Sequence, residues 1–509
     1  MASRLTKHKL FFLSAGLIFF LICQYYILVD PILLRNGDDW RYFGSFLSEP
    51  VPRIGWWNVT RLFQEHLMPI VGYQSAFFIY PLVGDYLTTA SIALAIVIAF
   101  FITGLFFAIY LLFSSLCKNK NTSALISVMI MALFFAFFKG RALDNVHMFF
   151  ASQYNLYFYY IFPNIINSAV ALFLMKQLIL KKNLAFSSKS GWLLAGIYFS
   201  IFSMLFSAGI LLAFASAVLI FRFFVNFGAE GNLSLMARSR NFFTECVKQY
   251  NIAIAIIFGV LIAMVLETTS LRSKEILPDS YFGSIVDIEF LNRIGVAANN
   301  FFSLARSINK YIFAIIALIY LIVGIHYLLK KEAGKPDILL SLPIKCLISA
   351  AMLPFFYIVL SAKAGTHYAG EIRCVYGAFF FIILSVGFLS LYILRELPIS
   401  RLFAPLILSI ILLVALNTRW PFQVLSPYDE YALVHKLIPA LVEADNEKHT
   451  KIILYVPEYS PEEWELHCLS DTLFIHRVTF NKIDIVSIEY STERCLSRDD
   501  NCVYYVEYK

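Results

Sequence analysis

The chain has 509 residues, with 41 Lys and Arg against 34 Asp and Glu for a net charge of +7; 60% of its residues are hydrophobic and only 15% are charged. Soluble domains average roughly 45–50% apolar and about 25% charged. This composition, with a mean hydropathy of +0.72, therefore excludes a water-soluble enzyme, an intrinsically disordered chain, collagen and a disulfide-built secreted domain. The expected fold class is an all-α polytopic membrane protein.

A membrane-crossing helix needs about 20 mostly apolar residues. Such runs lie near 10–29, 88–116, 122–138, 157–180, 250–267, 309–329, 346–362, 374–394 and 402–417. The stretch 191–224, as a single helix, would be roughly 51 Å long at ~1.5 Å per residue, far beyond a hydrocarbon core of about 30 Å. It reads as two helices turning near Ser207-Ala208-Gly209, which brings the expected count to about eleven spans. The first apolar run is longer than a signal-peptide core of about 7–15 residues, and Asp30-Pro31 follows it in place of a small-residue cleavage site. It reads as an uncleaved signal-anchor.

Cytoplasmic loops collect Lys and Arg. With Arg4, Lys7 and Lys9 inside, the inner loops carry Lys118 and Lys120, then Lys181, Lys182 and Lys189, then Arg222, Arg238, Arg240 and Lys248, then Lys330, Lys331, Lys335 and Lys345, then Arg395 and Arg401. This places the N-terminus in the cytoplasm and the C-terminus outside, in a bacterial cell inner membrane the periplasm. Residues 1–417 form the expected membrane domain, with a first outer loop at 30–87, and 418–509 a small α/β extracytoplasmic C-terminal domain. In that tail a helix is expected over 427–446 and strands over 451–456, 472–475 and 502–506. Cys468, Cys495 and Cys502 lie there too, where a disulfide persists in an oxidising compartment, although three cannot all pair internally. No Cys/His spacing matches a zinc site.

Ionisable residues avoid the middles of the spans and gather in the outer loops, so the chemistry is expected at the outer interface, where a coupled transporter would instead place carboxylates near the midplane. The sharpest group is Asn36-Gly37-Asp38-Asp39-Trp40-Arg41-Tyr42, directly after the first span. Paired carboxylates there suit general-base work or metal binding, and the alternative is that they cap the following helix. Farther along the same loop, Trp56 and Trp57 read as interfacial aromatics, and Arg61, Glu65 and His66 form a charged group at helical spacing. The second outer loop holds Lys139, Arg141, Asp144 and His147, cations suited to a phosphate at headgroup level. Tyr154, Asn155, Tyr157, Tyr159, Tyr160, Asn164 and Asn167 follow around Pro163. The loop 363–373 adds His367, Glu371 and Arg373, where a Glu371–Arg373 salt bridge is the plain alternative to phosphate binding. Asn58-Val59-Thr60 is a glycosylation sequon, of a length that recurs by chance. Walker, G-x-G-x-x-G, G-x-S-x-G and H-E-x-x-H motifs are absent from the sequence, which argues against nucleotide chemistry. Nucleic acid is not an expected partner, because the basic excess belongs to cytoplasmic loops.

An acidic pair after the first span, Gly37-Asp38-Asp39-Trp40, many further spans, an aromatic-rich first outer loop and a small outer tail together resemble the GT-C superfamily of polyprenyl-phosphate-sugar-dependent membrane glycosyltransferases. The size and single tail are similar to the phage-type O-antigen (serotype-converting) glucosyltransferases. The resemblance implies a hexosyltransferase that moves a sugar such as glucose from a polyprenyl-phosphate carrier to a surface glycan such as the O-antigen of lipopolysaccharide, by inverting displacement. Asp38 or Asp39 would be the general base. Arg61, Glu65, His66, Lys139, Arg141, His147, His367 and Arg373 are candidates for donor phosphate or substrate binding on their chemistry. No cofactor is required, and a divalent cation held by Asp38 and Asp39 stays open. The implied partners are the lipid-linked donor, the glycan acceptor, the bilayer, a carrier-charging glycosyltransferase and a flippase. Two other readings stand beside this one: a lipid-linked glycan transporter or flippase, and a glycan polymerase or ligase.

Overall fold

In this computed structural model the described residues are 9–34, 36–47, 51–52, 60–138, 147–186, 191–229, 234–271, 288–329, 338–396, 429–456, 463–490 and 504–507. The expected span over 402–417, Trp56, Trp57, Asn58, Lys139, Arg141, Asp144, Cys495 and Cys502 lie outside them.

Eight segments among the described residues are long and apolar enough to cross a membrane: Phe11–Val29, Tyr86–Leu116, Tyr154–Lys181, Leu205–Val225, Asn251–Thr268, Lys310–Leu328, Ile338–Ala364 and Thr366–Glu396. The chain is a multi-pass, helical membrane protein. In chain order the helices are α1 (Lys9–Gln24), α2 (Gly37–Gly44), α3 (Leu62–Gln74), α4 (Tyr86–Leu116), α5 (Lys120–Ala136), α6 (Phe162–Lys181), α7 (Gly191–Ile201), α8 (Leu205–Ala229), α9 (Leu235–Gln249), α10 (Asn251–Thr268), α11 (Ile288–Ala305), α12 (Lys310–Leu329), α13 (Ile338–Ala364) and α14 (Ile372–Glu396). The run expected over 122–138 and the first half of 191–224 form the shorter apolar helices α5 and α7.

The break in 191–224 falls at Phe202–Met204, ahead of the expected turn at Ser207-Ala208-Gly209. Polar side chains hold it there. Ser203 Oγ donates to the Ser200 carbonyl at 2.7 Å, and Asn167 Nδ2 donates to the same carbonyl at 3.1 Å. Gly209 instead lies inside α8, where a Cβ would come within 2.6 Å of the Phe356 ring. It is a packing glycine, of the kind that lets membrane helices approach closely. Gly377 and Gly387 serve α14 in the same way, against Tyr357 and Ile210 and against Ile130 and Phe113. α14 is the centre of the bundle: 89% of its apolar window is buried, compared with 17% for Phe11–Val29.

Among the described residues, three π-helical turns interrupt helical segments, at Tyr25–Val29, Ser75–Ile79 and Tyr157–Ile161. Turns of this kind widen the helix by one residue and re-aim side chains.

The tail contains α15 (Asp429–Asn446), β1 (Lys451–Val456), α16 (Glu463–Ile475), β2 (Asp484–Tyr490) and β3 (Tyr504–Glu507). β1 is central, parallel to β2 and antiparallel to β3. The stretch 472–475, expected as a strand, is the last turn of α16. Leu466, Leu469 and Leu473 recur at helical spacing and are all buried, so the 3.6-residue period outweighs the local β preference of Phe474 and Ile475. The second strand is instead Asp484–Tyr490, a run the charges at Asp484 and Glu489 disguise.

Candidate functional site

The site is built on α2. Its N-cap is Asn36, whose Oδ1 accepts the Asp39 N–H at 2.8 Å, while Asp39 Oδ2 receives the Asn36 N–H at 3.5 Å. This reciprocal box satisfies two of the donors a helix start leaves open. The other oxygen, Asp39 Oδ1, accepts the Asn155 N–H at 2.8 Å, in the first turn of the segment that continues into α6. One fully buried carboxylate thus closes two helix starts, where negative charge is also favoured by the helix dipoles. Asp38, its neighbour, is exposed.

Two glycines fix how α2 meets the tail. Gly37 and Gly44 are seven residues apart and share a helix face. A Cβ on Gly37 would overlap the Trp464 ring, and one on Gly44 would lie 2.5 Å from Thr472 Oγ1. With neither present, α16 lies flat on α2. The Gly37 N–H then donates to Glu465 Oε1 at 3.1 Å and the Thr472 hydroxyl to the Trp40 carbonyl at 2.8 Å. Beyond α16, His476 is buried among Phe43, Tyr73 and Tyr86 and shares a short hydrogen bond with the Tyr86 hydroxyl. Burial pushes this imidazole down to about 4, against a smaller upward pull from the Phe43 carbonyl.

Asp38 and Tyr42 are one turn apart on α2, so their Cβ atoms are about 5–6 Å from each other. Tyr42 meets the Tyr159 ring edge-on at 5.3 Å, and the Arg61 guanidinium lies over that same ring at 4.7 Å. Next to it, the Arg373 guanidinium lies over Tyr160 at 5.1 Å. Arg61 also falls within electrostatic range of Glu267, whose Oε2 accepts the Thr60 hydroxyl at 2.7 Å. Buried Glu65 is within range of Tyr159. Arg373 binds Glu371 Oε2 through Nη2 at 2.5 Å and Nε at 2.6 Å, which is the salt bridge the sequence left open. Asn164 Nδ2 donates to the Arg373 carbonyl at 2.7 Å, and Asn164 Oδ1 accepts the Ser207 hydroxyl at 2.7 Å. Two guanidiniums, each laid on a tyrosine, therefore stand side by side at one end of the bundle, and Tyr42, one turn from exposed Asp38 on α2, meets the first of those tyrosines.

The remaining candidates divide. His66 is half-buried and bonded to the Leu62 carbonyl at 2.7 Å. His367 is exposed and its ring lies tilted against Tyr368 at 4.1 Å, and Tyr368 in turn lies within electrostatic range of Arg61 and Arg373. His367 thus borders the group, while His66 faces Phe46. His147 does not belong to it as a phosphate ligand. It is buried among Phe135, Phe149 and Phe150, and burial pushes it down to about 3, so it carries no charge for an anion at neutral pH. Each Asp39 oxygen accepts one backbone N–H group, while Asp38 is exposed, so the two carboxylates stand in different surroundings.

Asp30 was not singled out from the sequence. It is 4% exposed, accepts the Tyr25 hydroxyl at 3.3 Å, and has its carboxyl pushed up by burial, against a smaller lowering from Tyr25. The usable signal was an acid placed directly at the end of an apolar span.

Two outcomes follow. Asp39→Ala removes an acceptor from two backbone donors that stay buried, so it lowers the unfolding free energy by about 2–4 kcal/mol, while Asp38→Ala changes it by less than about 0.5 kcal/mol; thermal melts of the purified protein in detergent measure both. His476 has its folded value held below the ordinary 6.5, so below pH 6.5 the unfolded chain binds a proton that the folded one refuses. Its contribution to stability is complete above pH 6.5 and is lost as pH falls towards about 4. Replacing it by Gln flattens the melting temperature against pH across that window, and an unaltered slope would remove His476 as the cause.

Comparison of the chain with known protein families, with curated proteins and with solved structures gives no match.

Proposed function

We propose that this chain is a membrane glycosyltransferase that moves a hexose from a polyprenyl-phosphate carrier to a surface glycan on the outer face of the membrane. The observation that carries the reading is the pair of guanidiniums, Arg61 over Tyr159 and Arg373 over Tyr160, with Tyr42, one turn from exposed Asp38 on α2, set against Tyr159. A lipid-linked sugar phosphate presents an anion at headgroup depth, a sugar just above it and a polyprenyl tail below. Guanidiniums laid on tyrosine rings suit the anion, tyrosine faces suit the sugar, and the bundle's apolar exterior suits the tail.

In this reading the roles of the two aspartates separate. Asp38 takes the proton from an acceptor hydroxyl, and that oxygen attacks the anomeric carbon. The bond from that carbon to the phosphate oxygen breaks, and the lipid phosphate leaves with the electron pair. Arg61 and the N–H edge of Arg373 that Glu371 leaves open stabilise the departing charge. A single displacement inverts the anomeric centre. Asp39 holds α2 in place and takes no part in proton transfer. The reading includes about eleven spans, a cytoplasmic N-terminus and a periplasmic tail that helps hold a long acceptor.

Glycan mass in cells tests it. Wild type adds one hexose to the surface glycan, and Asp38→Asn, at an equal membrane level, abolishes the increment. Arg61→Gln and Arg373→Gln each reduce it by about a hundredfold or more. An increment that survives in Asp38→Asn would sink the assignment of the base. No increment in correctly inserted wild type would favour a flippase or another acceptor.

A further inference from the structure

At the end of the bundle remote from Asp38, α9 joins α8 to α10. The distance is the full length of α10, which starts beside Leu184 and ends at Glu267 next to Arg61. Ser234 caps the start of α9 by accepting the Ala237 N–H at 3.3 Å. One side of the helix packs inward: Phe242 meets Phe223 at 5.3 Å, Glu245 pairs with Arg222 at 2.6 Å, and Cys246 is buried. The other side carries Met236, Arg240, Phe243 and Val247, which recur at helical spacing. Met236, Phe243 and Val247 are 86%, 68% and 61% exposed, and Arg240 is exposed with them.

The charge on this side is not balanced within α9, whose single acid, Glu245, is taken by Arg222. Exposed Lys248 adds to it. Lys181 and Lys182 join from the end of α6, because the Leu184 N–H donates to the Gln249 carbonyl at 2.7 Å and the Ile252 N–H to the Leu184 carbonyl at 3.0 Å. Only Tyr250 separates α9 from α10, and Phe242 meets Phe223 of α8, so α9 adjoins two helices that are apolar enough to cross the membrane and that expose Phe224 and Phe258. Acyl chains that cover those two helices therefore reach α9.

We infer that α9 lies in the membrane–water interface and, with Lys181 and Lys182, forms a binding surface for anionic phospholipid headgroups. Phe243, Met236 and Val247 sit among acyl chains, while Arg240 and Lys248 reach to the phosphate level on their aliphatic stems. A protein partner with an acidic face would need an apolar strip facing water, which the junction with α8 and α10 argues against. The inference is independent of the glycosyltransferase reading.

Lipids retained by the purified full-length chain test it, measured by mass spectrometry after exchange in mixed micelles of phosphatidylglycerol and phosphatidylcholine. Wild type retains phosphatidylglycerol preferentially, and the preference falls as salt rises. Lys181→Gln/Lys182→Gln/Arg240→Gln/Lys248→Gln reduces it by about tenfold or more at low salt. Lys9→Gln/Lys118→Gln, exposed cations at the same membrane end, leaves it unchanged. Melting temperature and size exclusion establish that the variants are folded. No preference in wild type, a preference insensitive to salt, or equal losses in the two variants would each overturn the inference.

Discussion

The end of the bundle that carries α2 depends on a single buried carboxylate. Asp39 closes the first turn of α2 through Asn36 and the first turn leading into α6 through Asn155. Hydrogen bonds from backbone donors to an ionised group are worth about 1.5–3 kcal/mol each. A carboxylate removed from water is stable only when its oxygens are satisfied in this way. Because Asp39 ties a loop helix to a membrane helix, the face of α2 that bears Asp38 and Tyr42 has a fixed position relative to Tyr159, Tyr160 and the two guanidiniums that lie on them.

The tail bears on the same helix from the other side. Gly37 and Gly44 remove the side chains that would separate α2 from α16, and Thr472 and Glu465 hydrogen-bond to α2 backbone groups that would otherwise face water. α2 is therefore clamped between the bundle and the tail. A displacement of α16 would reach Asp38 through α2 with little slack. His476, buried against Phe43, Tyr73 and Tyr86, makes that clamp dependent on a neutral imidazole.

Much of this was legible in the sequence, for reasons that differ by element. The long spans read directly, because twenty apolar residues in a row have few other solutions. The capping of α2 was visible as an alternative for the aspartate pair, but the sequence could not divide the two roles. That division rests on Asn155, more than a hundred residues away, and on which oxygen it meets. The Arg373–Glu371 pair was likewise visible only as one of two options. The hairpin turn was misplaced because Gly209 carries the local signature of a turn, while its actual use is close packing against Phe356. The stretch 472–475 was misread because Phe and Ile favour strands in isolation, and only the spacing from Leu466 through Leu473 shows the helix. Asp30 was passed over because an acid after a span reads as a boundary marker, and its burial comes from Tyr25 and the bundle around it. The laying of Arg61 and Arg373 on adjacent tyrosines was beyond sequence reasoning, since it depends on the π-helical turn that re-aims Tyr159 and Tyr160.

In the proposed glycosyltransferase two adjacent aspartates do different work, Asp39 holding the site and Asp38 acting in it. The most direct measurement gives the purified chain a synthetic polyprenyl-phosphate hexose and a glycan acceptor and follows release of the lipid phosphate. The proposal predicts turnover by wild type and a fall in kcat of about a hundredfold or more in Asp38→Asn, with donor binding and melting temperature unchanged. A donor left intact by wild type, or an Asp38→Asn protein that turns over at the wild-type rate, would contradict it.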